Sequence, residues 1–83
     1  MIDFDEFELR PSKHFRNTWL LKWNWDMHDL RTALKESYKI EKVGKYKHEA
    51  YTKYKNKGKS RKIIFVIYEA EKIIYIITGA EGN

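Results

Sequence analysis

Two apolar runs in the C-terminal third of the chain decide the fold. They are Arg61-Lys62-Ile63-Ile64-Phe65-Val66-Ile67-Tyr68 and Lys72-Ile73-Ile74-Tyr75-Ile76-Ile77-Thr78, separated by Glu69-Ala70-Glu71. Both runs are rich in β-branched and aromatic residues, which favour strands. Because the separation is too short for a crossover helix, we predict that they form an antiparallel hairpin at the centre of the core.

Length and composition indicate a small globular protein. The 83 residues are 42% hydrophobic and 16% aromatic, so we predict a single compact domain over residues 1–83. The chain has no cysteine, and His14, His28 and His48 lack the spacing of a metal motif. We therefore expect no metal and no other cofactor. Because the sequence contains no secretory leader pattern and no apolar run of spanning length, we expect a cytoplasmic protein without membrane contact.

Charge is distributed unevenly along the chain. Residues 1–9 contain four acidic residues and no basic one, whereas residues 39–62 contain ten Lys and Arg against two Glu. Together with a net charge of +5, this cluster favours a polyanion such as RNA or another nucleic acid as the partner. The alternative is a generally charged surface, because enrichment in Lys, Glu and Ile is also typical of proteins adapted to high temperature.

The N-terminal half is predicted to contain two short helices. Residues 1–9 alternate loosely between apolar and acidic positions, as in an acidic arm or a short edge strand. Pro11-Ser12 is a helix start, and the first helix should extend to about Trp23. Asp26 and Asp29 form a capping-box arrangement at the start of a second helix, at about 27–37.

From residue 38 onward the apolar period changes from that of a helix to that of a strand. We predict strands at 38–43 and 46–55, a turn at 56–59, the two apolar runs, and a flexible tail at 79–83. The fold class is therefore α+β, with two short N-terminal helices on one face of a four-stranded antiparallel meander sheet. Residues 1–9 would be an additional strand or an arm.

The central strands are apolar on both faces, but two short helices can cover only one. The predicted register places Tyr51 opposite Ile64 and leaves a contiguous apolar patch on the uncovered face. A partner interface is therefore expected there, for a second copy, another protein or a nucleic acid. It comprises Ile64, Val66, Ile73 and Ile77. In the alternative, residues 2–9 fold across this face and hide it.

Several short motifs together resemble a known family. They are Lys13-His14 in the first helix, Asp26, Asp29-Leu30 and Ala33-Leu34 in the second, the run from Gly58 to Val66, and Ile76-Ile77-Thr78. This arrangement of two helices and a basic antiparallel meander resembles the RelE/ParE/BrnT superfamily of small toxins. The resemblance implies a metal-independent endoribonuclease, commonly acting on ribosome-associated messenger RNA, that an antitoxin protein neutralises.

Candidate site residues follow from this chemistry, which needs a base, cations and groups that stack on RNA bases. The catalytic candidates are Arg61, to which the resemblance adds most weight, and His14, His48 and Tyr68. The candidates for nucleic-acid binding are Lys47, Tyr51, Lys53, Lys55, Lys62 and Tyr75. A structural alternative exists for the histidines as capping or surface residues and for Arg61 as a strand-edge charge.

Three functions therefore remain open from the sequence. The first is a toxin-like ribonuclease with an antitoxin as its partner. The second is a nucleic-acid-binding module without catalysis, which uses the same sheet face. The third is an interaction protein whose apolar face forms a homodimer or receives a partner protein.

Overall fold

The fold is a five-stranded mixed sheet with two helices on one face, and the computed structural model describes it for residues 2–81. Helix α1 comprises a π-helical stretch, Phe15–Leu20, and an α-helical turn, Leu21–Trp23. The other elements are a 3₁₀ turn Phe4–Glu6, helix α2 Met27–Lys35, and strands β1 Glu8–Pro11, β2 Lys39–Lys42, β3 Lys47–Thr52, β4 Arg61–Tyr68 and β5 Ile73–Glu81. The strand order is β1-β5-β4-β3-β2.

The antiparallel meander of β2 to β5 is confirmed, but the sheet has a further strand that pairs in parallel. Residues Glu8–Pro11 form β1 along β5, so the sheet is mixed and not purely antiparallel. Phe4 packs edge-on against Phe65, with ring centroids 6.0 Å apart, and Arg31 of α2 donates hydrogen bonds to the Phe4 and Phe7 carbonyl oxygens. The N-terminal segment therefore extends the covered face, and the alternative in which it hides the other face is wrong.

Helix α2 begins with the capping box that the sequence predicts. Asp26 Oδ1 accepts a hydrogen bond from the Asp29 backbone N–H at 2.8 Å, and Asp29 Oδ2 accepts one from the Asp26 N–H at 3.1 Å. The helix ends two residues before the predicted 37. Its apolar side buries Leu30, Ala33 and Leu34 against the sheet. The local capping signal and the burial of the apolar side thus both favour a helix at these residues, as is typical when a sequence specifies a helix strongly.

Helix α1 begins where expected but is not a regular α-helix. Ser12 Oγ accepts a hydrogen bond from the Phe15 N–H at 3.0 Å, as an N-cap does. The π-helical stretch is compatible with the predicted apolar face, because Phe15, Trp19 and Trp23 still lie close together. Neither helix in residues 2–81 is long and apolar enough to cross a membrane.

The connection between β3 and β4 is longer than the predicted four-residue turn. Strand β3 ends at Thr52, and residues 53–60 form the loop. As a result Tyr51 lies opposite Lys62 instead of Ile64, a shift of two residues from the predicted register. A shift of two leaves the side chains of Lys47–Thr52 and Arg61–Tyr68 on their predicted faces, because the side-chain period of a strand is two.

Strand β5 contains a bulge. Phe65 pairs with Ile76, but its neighbour Ile64 pairs with Thr78, so Ile77 is an additional residue in β5. After the bulge Gly79 faces the helices, and β5 continues to Glu81. The predicted tail is therefore wrong for residues 79–81, and its last two residues, 82–83, lie outside the described part of the chain.

We predict that Gly79→Ala destabilises the protein by about 1–3 kcal/mol, as overpacking of a core does. A Cβ at Gly79 would lie 2.8 Å from Trp23 Cη2 and 3.2 Å from the Lys62 carbonyl oxygen, so neighbours must move. Urea unfolding followed by tryptophan fluorescence measures the change. Gly44→Ala is the control, because its added Cβ makes only an ordinary contact, 3.4 Å from Lys47 Cβ. Equal stability of the two variants would contradict the close packing of β5 against α1.

Candidate functional site

One face of the sheet carries no helix within residues 2–81, and we call it the open face. On this face lie Ile64, Val66, Ile73 and Ile77, as the sequence predicts. Their side chains are half-buried. Tyr68 and Tyr75 are 46% and 39% exposed beside them. The rest of the open face consists of Glu8 and Arg10 from β1, Thr78 from β5, Lys62 from β4, Lys47, Glu49 and Tyr51 from β3, and Lys39 and Glu41 from β2.

Most cations of the open face are paired with a carboxylate of the same face. The pairs are Arg10 with Glu8 at 2.7 Å, Lys39 with Glu41 at 3.6 Å, and Lys62 with Glu49 at 3.8 Å. Among residues 2–81, Lys47 has no such pair. The open face is therefore nearly neutral, although the chain as a whole is basic.

Tyr51 joins the acidic side chains of the open face. Its hydroxyl donates to Glu49 Oε1 at 3.1 Å and to Glu41 Oε1 at 3.2 Å. The hydrogen bond to Glu49, then burial and the hydrogen bond to Glu41, raise the pKa of Tyr51 to about 12. Tyr51 thus stays protonated at neutral pH and acts as a donor to carboxylates.

His14 lies at the edge of the open face, beside the bulge of β5. Its Nε2 is 3.1 Å from Thr78 Oγ1, and Trp19 Nε1 donates to the same oxygen at 3.2 Å. The Thr78 hydroxyl donates to the Gly79 carbonyl oxygen at 3.4 Å. Because the Thr78 hydroxyl proton is donated to Gly79, Thr78 Oγ1 can accept hydrogen bonds from both the His14 and the Trp19 rings. This arrangement favours the His14 tautomer with a proton on Nε2 and a lone pair on Nδ1. We call His14, Trp19 and Thr78 the bulge cluster.

Arg61 lies on the covered face, under the tryptophans. Its guanidinium carbon is 4.8 Å from the Trp23 ring centroid and 5.6 Å from that of Trp25, and its buried Nε has no hydrogen-bond partner within residues 2–81. Burial lowers the pKa of Arg61, and the carboxylate of Glu81 opposes that shift. This environment gives Arg61 a packing role through cation–π contacts.

The four predicted catalytic residues do not converge on one point. Arg61 and Tyr68 are at opposite ends of β4, about 23 Å apart along the strand. His48 stacks on Phe65 on the covered side, with ring centroids 5.5 Å apart, and its Nδ1 is 3.2 Å from the Tyr46 carbonyl oxygen. Of the four, His14 is the one hydrogen-bonded to a side chain at the open-face edge.

Residues 53–60 form a loop with four lysines, which we call the basic loop. Lys53 and Lys55 were expected on the sheet face but belong to this loop, because β3 ends before them. Lys55 is drawn to the covered side, where its Nζ is 3.1 Å from Asp29 Oδ1. Lys53 Nζ lies 5.3 Å from the ring centroid of Tyr38, which is 56% exposed.

Asp29 holds the basic loop against α2. Besides capping the helix, its carboxylate accepts a hydrogen bond from the Tyr54 hydroxyl at 2.8 Å, and the Tyr54 ring packs edge-on against Trp25. The loop backbone is left-handed at Lys55 and Lys57, with φ of 51° and 49°. A loop that contains such residues needs tertiary contacts to persist, and Asp29 supplies them.

The remaining lysines of the basic loop are exposed. Lys57 and Lys59 have no ion pair within residues 2–81. In the same part of the chain, no three His, Asp or Glu side chains come close enough together to hold a metal ion. Within residues 2–81 the surplus of positive charge is therefore located in the basic loop, at the β2–β3 turn with Lys42, Lys45 and Lys47, and at Lys13 and Arg16, away from the centre of the open face.

The structure can be compared with solved proteins. It resembles the crystal structure, at 1.1 Å resolution, of the ribonuclease toxin BrnT from Brucella abortus, with a TM-score of 0.66 and 15% identity. The match covers 93% of this chain and 97% of the toxin chain. The chain has a BrnT-like toxin fold. The likeness confirms the fold that the sequence resemblance implies.

No protein-family model matches the chain, and no curated protein sequence matches it. The sequence allowed His14 to be selected as a candidate, but not its hydrogen-bond partner Thr78. The contact between the two in this BrnT-like fold depends on the bulge. It also missed the contact of Asp29 with Tyr54 and Lys55. The only signal for Asp29 was its position in the capping box.

We predict that Asp29→Asn lowers the urea concentration of half-unfolding at pH 7. The hydrogen bonds from the Asp26 N–H, the Tyr54 hydroxyl and the Lys55 ammonium lower the pKa of Asp29 below its ordinary 3.8. The pKa of Asp29 is lower in the folded state than in the unfolded state. The free energy of unfolding that the charged carboxylate contributes is therefore fully present above the unfolded-state pKa, and it is lost as the pH falls through the folded-state pKa. The difference between wild type and variant should therefore narrow below pH 3.8.

Asp5→Asn is the control for this prediction. Asp5 also pairs with a lysine, Lys35, at 2.7 Å, but at an exposed position where such a pair contributes little. If Asp29→Asn were as stable as Asp5→Asn at pH 7, the role of Asp29 as the anchor of the basic loop would be wrong.

Proposed function

We propose that this protein is a toxin-type endoribonuclease that acts in the cytoplasm and is neutralised by an antitoxin protein. The observation that carries the proposal is the likeness to the BrnT ribonuclease toxin, which extends over nearly all of both chains. A fold alone can host many activities, so the proposal also needs a suitable site. The bulge cluster and the basic loop supply one.

RNA can be cleaved without a metal ion when its own 2′-hydroxyl attacks the adjacent phosphate. The step needs a base for the hydroxyl proton, positive charge at the phosphate and a proton for the leaving 5′-oxygen. We assign the base to Nδ1 of His14, since Thr78 occupies Nε2 and a neutral imidazole nitrogen can accept a proton. Lys13 and Arg16 lie near His14 in the chain, are exposed, and supply positive charge. As the 2′-oxygen bonds to phosphorus, the bond from phosphorus to the 5′-oxygen breaks, and the leaving 5′-oxygen takes a proton from solvent water.

RNA binding is assigned to the basic loop in preference to the open face. The exposed Tyr38 ring with Lys53 above it offers a surface for a stacked base, and Lys57 and Lys59 can contact phosphates. Two candidates for nucleic-acid binding on the open face, Lys62 and Tyr51, already contact carboxylates there. Lys47 and Tyr75 are also on that face. The residues that the sequence predicts to bind RNA therefore lie on two different surfaces.

We predict cleavage of single-stranded RNA in the presence of a chelator and a loss of about 100-fold or more in His14→Gln, as is typical for a general base. The measurement is the rate of RNA cleavage on a denaturing gel. His28→Gln is the matched control, because His28 is an exposed histidine in the first turn of α2. Intact RNA at high protein concentration would refute the ribonuclease, and equal loss in both variants would refute the role of His14.

We predict that the double variant Lys57→Gln, Lys59→Gln binds RNA more weakly and with a smaller dependence on salt. Each lost phosphate contact should reduce the slope of log K against log salt by about 0.7 for single strands. Fluorescence anisotropy with a labelled RNA measures this slope, in a His14→Gln background that leaves the RNA uncut. The control is Lys39→Gln, Lys62→Gln, which removes paired cations of the open face. A larger change of slope in the control would place the RNA on the open face.

The second candidate function is RNA binding without cleavage. The dispersal of Arg61, His48 and Tyr68 over both faces favours it, because a catalytic site normally gathers its acid, base and cation. The same experiments separate the two functions. Salt-dependent binding with intact RNA in chelator would support this candidate against the ribonuclease.

A further inference from the structure

We propose that the open face is the interface of a homodimer, in which two copies stack sheet against sheet. This inference goes beyond the proposed function and does not depend on it. It starts from the two central strands, β4 and β5, whose residues are apolar on the side that no helix covers. Ile64, Val66, Ile73, Tyr75 and Ile77 lie at the centre, and Tyr68 extends the patch toward the hairpin turn.

The shape of this surface suits another sheet. Two β-sheets commonly pack face to face through interdigitating apolar side chains, at about 10 Å between the sheets. Such packing needs a surface without a helix or loop across it. The open face meets this condition, because the N-terminal segment packs on the opposite side through Phe4 and Phe65.

Charge identifies the occupant as a second copy. RNA needs unpaired cations, and an acidic protein would need them as well. On this face three cations are instead satisfied by their own chain, through Glu8, Glu41 and Glu49. The net charge of +5 would normally make two copies repel each other, but most of its surplus lies in the basic loop, at the β2–β3 turn and at Lys13 and Arg16, and of these cations only Lys47 is at the margin of the open face within residues 2–81. A nearly neutral face is therefore the part of the surface where two copies can meet at the lowest electrostatic cost.

The area of the open face indicates how tightly two copies are expected to bind. Five strands about 4.8 Å apart and about six residues long present about 500 Å² per copy. Two copies would bury about 1,000 Å², which is at the lower limit for specific interfaces, so a dimer with a dissociation constant of about 1–100 µM is expected.

Sedimentation equilibrium tests the proposal with the full chain between about 5 and 500 µM, which brackets that constant. The expected result for the wild type is a concentration-dependent rise from the monomer mass of 10.1 kDa to twice that value. Because the contact is apolar, the rise should persist at high salt. A monomer at every concentration would overturn the proposal.

Variants locate the interface. Val66→Lys and Tyr75→Lys each place a cation at the centre of the open face and should leave the protein monomeric. Tyr75 is exposed, so its variant folds even if that of Val66 does not. Leu21→Lys is the matched control, since Leu21 is a 72% exposed apolar residue on α1, and it should dimerise like the wild type.

Other outcomes identify other occupants. If Tyr75→Lys changes RNA binding in the anisotropy assay but not the mass, the open face binds RNA and the proposal is wrong. If both folded variants still dimerise, the interface lies elsewhere and the proposal is equally wrong. RNA cleavage by the wild type is measured separately, so failure of the dimer leaves the proposed function standing, and the reverse also holds.

Discussion

The bulge at Ile77 and Thr78 is the constraint on which the arrangement of the site depends. One additional residue in β5 changes the side of the sheet that the following residues face. Gly79 consequently faces α1 closely enough to contact Trp23, and Thr78 is left at the edge where His14 and Trp19 reach it. The bulge therefore joins the packing of α1 to the orientation of the imidazole.

A second constraint is that the sheet has more apolar surface than the helices and the N-terminal segment can bury. The two central strands are apolar on both sides, while α1, α2 and the N-terminal segment all pack on the same side. The charges follow the same division. Cations on the open face are mostly neutralised by their neighbours, whereas those of the basic loop include exposed, unpaired lysines within residues 2–81. One surface is thus suited to another apolar sheet and the other to a polyanion.

Local signals allowed part of this fold to be predicted from the sequence. The Asp26 and Asp29 cap is a contact between near neighbours, and it was predicted correctly, as were the meander and the two faces of β3 and β4. The bulge was not predictable, because Ile76, Ile77 and Thr78 read as a continuous strand. The long loop was missed because Tyr54 leaves the ladder to reach Asp29, 25 residues away. Contacts between distant residues decided both.

The same limit applies to the site. His14 could be identified as a candidate base, but the hydrogen bond that orients its Nε2 depends on Thr78, 64 residues away. Arg61 was selected from its place at the start of a strand, but its guanidinium packs against the rings of two tryptophans on the covered face. The proposed ribonuclease mechanism rests on His14 as a base that activates the 2′-hydroxyl of RNA. Analysis of the ends of cleaved RNA tests this role most directly. The proposed mechanism predicts a 2′,3′-cyclic phosphate and a 5′-hydroxyl, and a 3′-hydroxyl with a 5′-phosphate would contradict it.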